Sequence, residues 1–190
     1  MSDRPQPIAT SSQTVGPFFH FGLTADESLG VVASPETPGD HILLRVRVLD
    51  GAGAAVPDSV IEIYQADAAG RYASPDTPHQ EGSFSGFGRL PTGPDGWCVF
   101  RTIRPGPVRI QDQEQAPHVN VCLLARGLLR QIYTRIYFED DPTLPVDPIL
   151  ALVPADRRHT LLAIRSDDAI GAWDFVIRLQ GDDETVFFDL

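Results

Sequence analysis

Apolar and polar positions alternate with a period of two over most of this chain, and turn residues interrupt the alternation at short intervals. That is the pattern of antiparallel strands packed into a sandwich or barrel. It predicts strands over "HILLRVRVLD" (41–50), "SVIEIYQAD" (59–67), "GWCVFRTI" (96–103), "HVNVCLLAR" (118–126), "QIYTRIYF" (131–138), "AWDFVIRLQG" (172–181) and "TVFFDL" (185–190). The first two end in "DGAG" and "AAGR" and read together as a hairpin pair. Seven strands suffice for two packed sheets. The expected fold class is mainly β: a β-sandwich core of antiparallel strands with long loops and one or two short helices. One segment breaks the period, "PADRRHTLLAI" (154–164), where Pro154 at a first helical position and Leu161, Leu162 and Ile164 after a charged turn predict a short surface helix. Two connections are long and proline-rich, 73–96 and 104–117, and long ordered loops on a rigid sandwich are where function usually sits.

With 190 residues the chain fits one domain, 1–190, able to bury a core without disulfides or a structural metal. A formal charge of -11 argues against nucleic acid and anionic membrane as partners, since both need a basic footprint. All 15 cationic side chains are arginine, so lysine Schiff-base chemistry and an ordinary phosphate-loop lysine are excluded. No apolar run approaches a membrane span, and the first residues carry no basic region followed by an apolar core. Cys98 and Cys122 lie in apolar segments without CxxC spacing and read as buried free thiols, which fits a reducing cytoplasm.

The candidate chemistry is sparse. In "APHVNV" (116–121), read as a strand, His118 and Asn120 point the same way about 7 Å apart, where two histidines would converge on one metal ion. Histidines 20, 41, 79, 118 and 159 show no HxH, HxxxH or HExxH spacing. Tyr64, Tyr133 and Tyr137 fall in predicted strands and Tyr72 in a turn, where amphipathic core roles suffice. No GxSxG elbow is present, and the acids of "FEDDPTLP" (138–145) read as a solvated turn. In "QIYTRIYF" Tyr133, Arg135 and Tyr137 share one face, so Arg135 stands between two rings. It is either an arginine stacked at the sandwich surface or a guanidinium presented to a carboxylate or phenolate. The arm "SQTVGPFFHFGL" (12–23) sets a Gly16-Pro17 turn before three phenylalanines in four residues, which tuck either into this domain's core or into a partner.

"SQTVGPFFHFGL", "IEIYQADAAGRY", "FRTIRPGPV", "APHVNVCLLARG", "YTRIYFEDD" and "RLQGDDETVFFDL" occur over essentially the whole chain in an order that resembles the intradiol ring-cleaving dioxygenases. The resemblance implies a β-sandwich with long loops and, in catalytic chains, a non-haem Fe(III) held by two tyrosinates and two histidines. Those ligands come from a loop tyrosine, a tyrosine after a "PGP" turn and an "HxH" strand. Here "PGP" is followed by Val108, the strand keeps His118 but has Asn120 for the second histidine, and the loop from Asp76 to Ser85 has no tyrosine. The positions Val108, His118 and Asn120 are thus vestigial, and the expectation is that this chain binds no metal while a homologous beta subunit carries the iron. The same resemblance assigns no catalytic residue to the chain alone. It assigns a substrate-pocket role at the subunit interface to Thr14, Gly16, Pro17, Phe18 and Arg135, with residues 1–40 an arm on the partner, and it implies an acidic catechol and O₂ as co-substrates.

Overall fold

Alternation sets the burial of the longest strand, β1 (His41–Leu49), in which Ile42, Leu44, Val46 and Val48 face inward while Arg45 and Arg47 stay outside. The computed structural model describes residues 9–16, 18–73 and 84–189, so Pro17 and positions 74–83, His79 among them, lie outside the described residues. Nine more strands follow: β2 (Val60–Gln65), β3 (Phe87–Pro91), β4 (Trp97–Ile103), β5 (Val108–Ile110), β6 (Gln113–Gln115), β7 (His118–Leu124), β8 (Ile132–Phe138), β9 (Leu162–Arg165) and β10 (Ala172–Arg178). Among the described residues a short α-helix, α1 (Phe19–Leu23), and a 3-10 helix, Glu27–Gly30, precede them.

Eight strands form one continuous sheet in the order β3-β2-β7-β8-β9-β10-β1-β4, and β5 and β6 make a separate ribbon. The sheet doubles over at β9, giving the two layers of a sandwich. β9 pairs in parallel with the end of β8, Phe138 facing Ala163, and antiparallel with the start of β10, Trp173 facing Arg165. The core between the layers draws Leu44, Val46, Phe100 and Phe175 from one and Ile61, Ile63, Val121 and Ile136 from the other. Phe138 and Trp173 meet edge to face, centroids 5.1 Å apart, across that fold line. The fully buried Gln65 ties the layers by polar contacts: its Nε2 donates to the Ile103 carbonyl (2.9 Å), and its Oε1 accepts from Thr102 (2.7 Å).

The mainly-β sandwich expected from the alternation is the fold observed, but it is not antiparallel throughout, since β1 runs parallel to β10 and β9 parallel to β8; four further differences are local. β1 and β2 are not a hairpin: β1 lies between β10 and β4, β2 between β3 and β7. A local pattern shows that a strand forms, while its partner is chosen by burial far away in sequence. The segment predicted as a helix is a 3-10 helix (Ala155–Leu161) followed by β9, because Leu161 and Ala163 go inward while Ile164 turns to solvent, a period of two. The 185–190 segment makes only a single bridge, Phe188 to Tyr133, within the described residues. The long connections also hold three short strands, β3, β5 and β6.

A buried carboxylate pins the loops to this frame. Asp147, 1% exposed, accepts from the backbone N–H of Ala116 (2.8 Å), Ile149 (2.9 Å) and Leu150 (2.6 Å) and from the Tyr137 hydroxyl (3.2 Å). Removing the acceptor strands several donors where water cannot replace it. Asp147→Ala is expected to cost about 3 to 5 kcal/mol, and Asp147→Asn less; urea unfolding of the variants against the parent measures both.

Candidate functional site

The outer face of the β2-β7-β8 layer carries a cross-strand row in which Tyr64, Asn120 and Arg135 sit in register. His118 and Tyr137 form the next pair, their rings 5.9 Å apart. A fourth aromatic reaches this row from a turn, and close backbone packing delivers it. Residues 67–71 make a tight turn in which Asp67 accepts from the N–H groups of Ala69 and Arg71 and pairs with the Arg71 guanidinium at 2.9 Å. This turn lies against the Pro105–Pro107 turn, where Gly106 N–H donates to the Asp67 carbonyl (2.9 Å). A Cβ at Gly70, whose φ is +76°, would fall 1.9 Å from the Pro107 carbonyl oxygen, and one at Gly106 would fall 2.3 Å from that of Ala68. Only glycine lets the turns approach this closely, and the next residue but one after Gly70 is Tyr72.

Tyr72 stacks on Tyr64, centroids 4.9 Å apart, and its hydroxyl enters a chain of hydrogen bonds. His118 Nδ1–H donates to the Ala116 carbonyl (2.8 Å), so in the neutral ring Nε2 is an acceptor, and it accepts from the Tyr72 O–H (3.2 Å). Asn120 Nδ2 donates back to the Tyr72 oxygen (3.0 Å) and to the Tyr64 carbonyl (3.2 Å). Arg135 is held from the side, Nη1 donating to Oε1 of the buried Gln115 (2.9 Å).

The electrostatics keep this cluster neutral apart from Arg135. Burial, helped by the nearby guanidinium, depresses His118 from 6.5 to about 4. Burial raises Tyr72, the Asn120 hydrogen bond and Arg135 only partly opposing it, and it raises Tyr137 to about 12. Cys122, on the same outer face, is pushed up to about 11 and Cys98 to about 12, both chiefly by desolvation, so neither is a nucleophile at neutral pH.

A trivalent iron does not fit these residues. The His118 lone pair is engaged by the Tyr72 O–H, the next position on that face offers a neutral amide, and a cation stands alongside. Val108 after the PGP turn is apolar and 4% exposed, contributing no donor. Among the described residues no group of three or more His, Cys, Asp or Glu is arranged to hold a metal.

The structure thus draws together His118, Asn120 and Arg135, with Val108 on the adjoining ribbon. Sequence reasoning passed over Tyr72, Gln115 and Asp147; Tyr72 lies four residues before the loop window searched for a tyrosine. The arm binds elsewhere: Thr14 Oγ1 accepts from the Gly127 N–H (2.8 Å) in the β7–β8 connection, and Gly16 accepts from Phe19 at the start of α1. Phe18 is 74% exposed and stacks on the exposed Phe21, while Val32 and Ala33, later in the 1–40 span, are buried against β4 of this chain.

A family model described as Dioxygenase matches residues 14–181. The chain is 41% identical over 195 residues to the protocatechuate 3,4-dioxygenase alpha chain of Burkholderia cepacia, covering 95% of this chain and 97% of that one. It is 32% identical to the beta chain of the same enzyme from that organism, covering 97% and 81%. Its fold matches the dioxygenase domain of a carbohydrate-binding fusion protein from Streptomyces sp. SirexAA-E with a TM-score of 0.63 at 22% identity, over 96% of this chain and all of that one.

His118 binds no proton in the folded state until about pH 4, whereas the unfolded chain takes one up near 6.5. Its contribution is complete above the higher value and is lost as pH falls through the window between them, roughly 3 kcal/mol in all. Urea unfolding at pH 7 and pH 4.5 is therefore expected to show a smaller stability loss in His118→Gln than in the parent.

Proposed function

This chain belongs to the family of intradiol ring-cleaving dioxygenases, and we propose that within it the chain is the alpha subunit of a protocatechuate 3,4-dioxygenase. The carrying observation is a pairing of two facts: near-complete coverage of an alpha chain at 41% identity, and a cluster at Tyr72, His118 and Asn120 that is closed to iron. On this reading a homologous beta subunit holds the Fe(III), which supplies the activation of a bound catecholate toward O₂. The enzyme cleaves 3,4-dihydroxybenzoate between its hydroxyl-bearing carbons to 3-carboxy-cis,cis-muconate, a step in aromatic catabolism through β-ketoadipate. The reading assigns the enzyme to the cytoplasm, where Cys98 and Cys122 stay free thiols.

The chain's own part is to wall the substrate pocket at the subunit interface. The exposed Phe18 and Phe21 of the arm are large apolar groups that a partner surface would remove from water. Thr14 and Gly16 set the path of the arm, Pro17 joins them in the pocket by the resemblance alone, and Phe18 meets the substrate side with no hydroxyl to offer. Arg135, with one nitrogen committed to Gln115, keeps guanidinium N–H groups for the substrate carboxylate and counters the field of an acidic subunit. Its confinement by Gln115 and Tyr137 supports this role, since a held donor loses little freedom on binding.

Co-expression with a homologous beta chain tests the assignment. The expected result is a coloured, iron-bearing complex that cleaves protocatechuate, with the alpha chain alone colourless. Stoichiometric iron and turnover in this chain by itself, or a monomer that ignores the beta chain, would refute it. Within the complex, Arg135→Ala is expected to raise KM for protocatechuate about 10- to 100-fold with iron content unchanged; an unaltered KM removes Arg135 from the pocket.

A further inference from the structure

On the outer face of the β4-β1-β10 layer lies a cavity of about 460 Å³. It opens where residues 31–35 cross the edge of β4 and the turn at Ile170–Gly171 leads into β10. Val31, Pro35, Leu43 and Ile170 give it a largely apolar wall, and Arg101 and His41 are its ionisable members. The walls are fixed by backbone pairing: Val32 and Ala33 donate to the Arg101 carbonyl, Arg101 faces Leu43 across the β1–β4 ladder, and Leu43 donates to the Gly171 carbonyl.

Arg101 differs from its neighbours on this face. Arg45 pairs with Asp174 at 3.0 Å and lies 4.9 Å from the Trp97 ring centre, and Arg47 donates to the Asp95 carbonyl. The Arg101 guanidinium has no hydrogen bond, ion pair or ring contact of this kind among the described residues. In a chain of net charge -11, acids are plentiful, yet among the described residues none forms an ion pair with it. His41 is oriented by donation from Nε2 to the Thr37 carbonyl (2.9 Å), which adds a fixed polar edge to the rim. Cavities of roughly 300 to 1,000 Å³ with apolar walls and a few polar groups are the usual form of small-molecule sites.

We propose that this cavity is a binding site for a small amphipathic monocarboxylate with a single hydrophobic ring, its carboxylate on Arg101 and its ring against Val31, Leu43 and Ile170. One cation on an otherwise apolar wall selects for a single negative charge on a hydrophobic body. A polyanion would leave charge uncompensated, and a neutral ring would leave the guanidinium unpaired.

The test is a fluorine NMR titration of 4-fluorobenzoate into the full-length chain, in complex with its partner where it purifies as one. A class of sites that weakens about tenfold or more in Arg101→Gln, and that 4-fluorobenzyl alcohol fills at least tenfold less tightly, is expected. Ile170→Asp should weaken the same class, and Arg101→Gln should leave ring cleavage unchanged, which separates these sites from binding in the substrate pocket. Absence of such a class, its survival in Arg101→Gln, or equal affinity for the alcohol overturns the proposal.

Discussion

One four-residue strand, β9, hydrogen-bonds to both layers, and the geometry of the molecule follows from that sharing. Its parallel pairing with β8 and antiparallel pairing with β10 convert two open sheets into one that doubles back. Pleating then requires that the inward residues of the two layers meet, and they are the Val, Ile, Leu and Phe positions of β1, β2, β7, β8 and β10. The polar row on the outside is the complement of that choice. With Ile136 and Phe138 turned inward, Arg135 and Tyr137 must face the loops, and register brings Asn120 and His118 beside them.

What occupies the row is a set of polar side chains that bond chiefly to one another. A phenol, an imidazole and an amide bond to one another in a directed series ending on the Ala116 carbonyl, so the His118 lone pair is spent on the Tyr72 hydroxyl. The positive charge in the row comes from Arg135, which is tethered to the strand and held by Gln115. An apolar replacement would have stranded the polar atoms that the turns and strand ends present here.

Much of the fold was legible in the sequence and less of the site. Strands β1, β2, β4, β7, β8 and β10 announce themselves by alternation because each has one face in the core. β9 does not, since a four-residue alternation after a charged 3-10 turn also suits a helix, and pairing with two distant strands decided the matter. The pairing of β1 with β10 depends on contacts some 130 positions apart, to which a local pattern is blind. His118, Asn120 and Arg135 could be placed on one face from strand periodicity alone. Tyr72 could not, because its position depends on two glycine turns meeting closer than a methyl group permits, a contact between segments with no shared pattern. Gln115 and Asp147 were invisible for a similar reason: each matters through partners that only the folded chain assembles.

The fold line also carries an optical label. Trp173 is sealed at that line, edge-on to Phe138 and flanked by Arg104 at 5.2 Å and Arg165 at 4.6 Å, while Trp97, the molecule's other indole, lies on the outer face between Arg45 and Arg47. Two indoles in such unlike surroundings emit differently, the enclosed one toward the blue. Parting of the layers would therefore register as a red shift from Trp173, while the near-ultraviolet dichroism of its contact with Phe138 would fade.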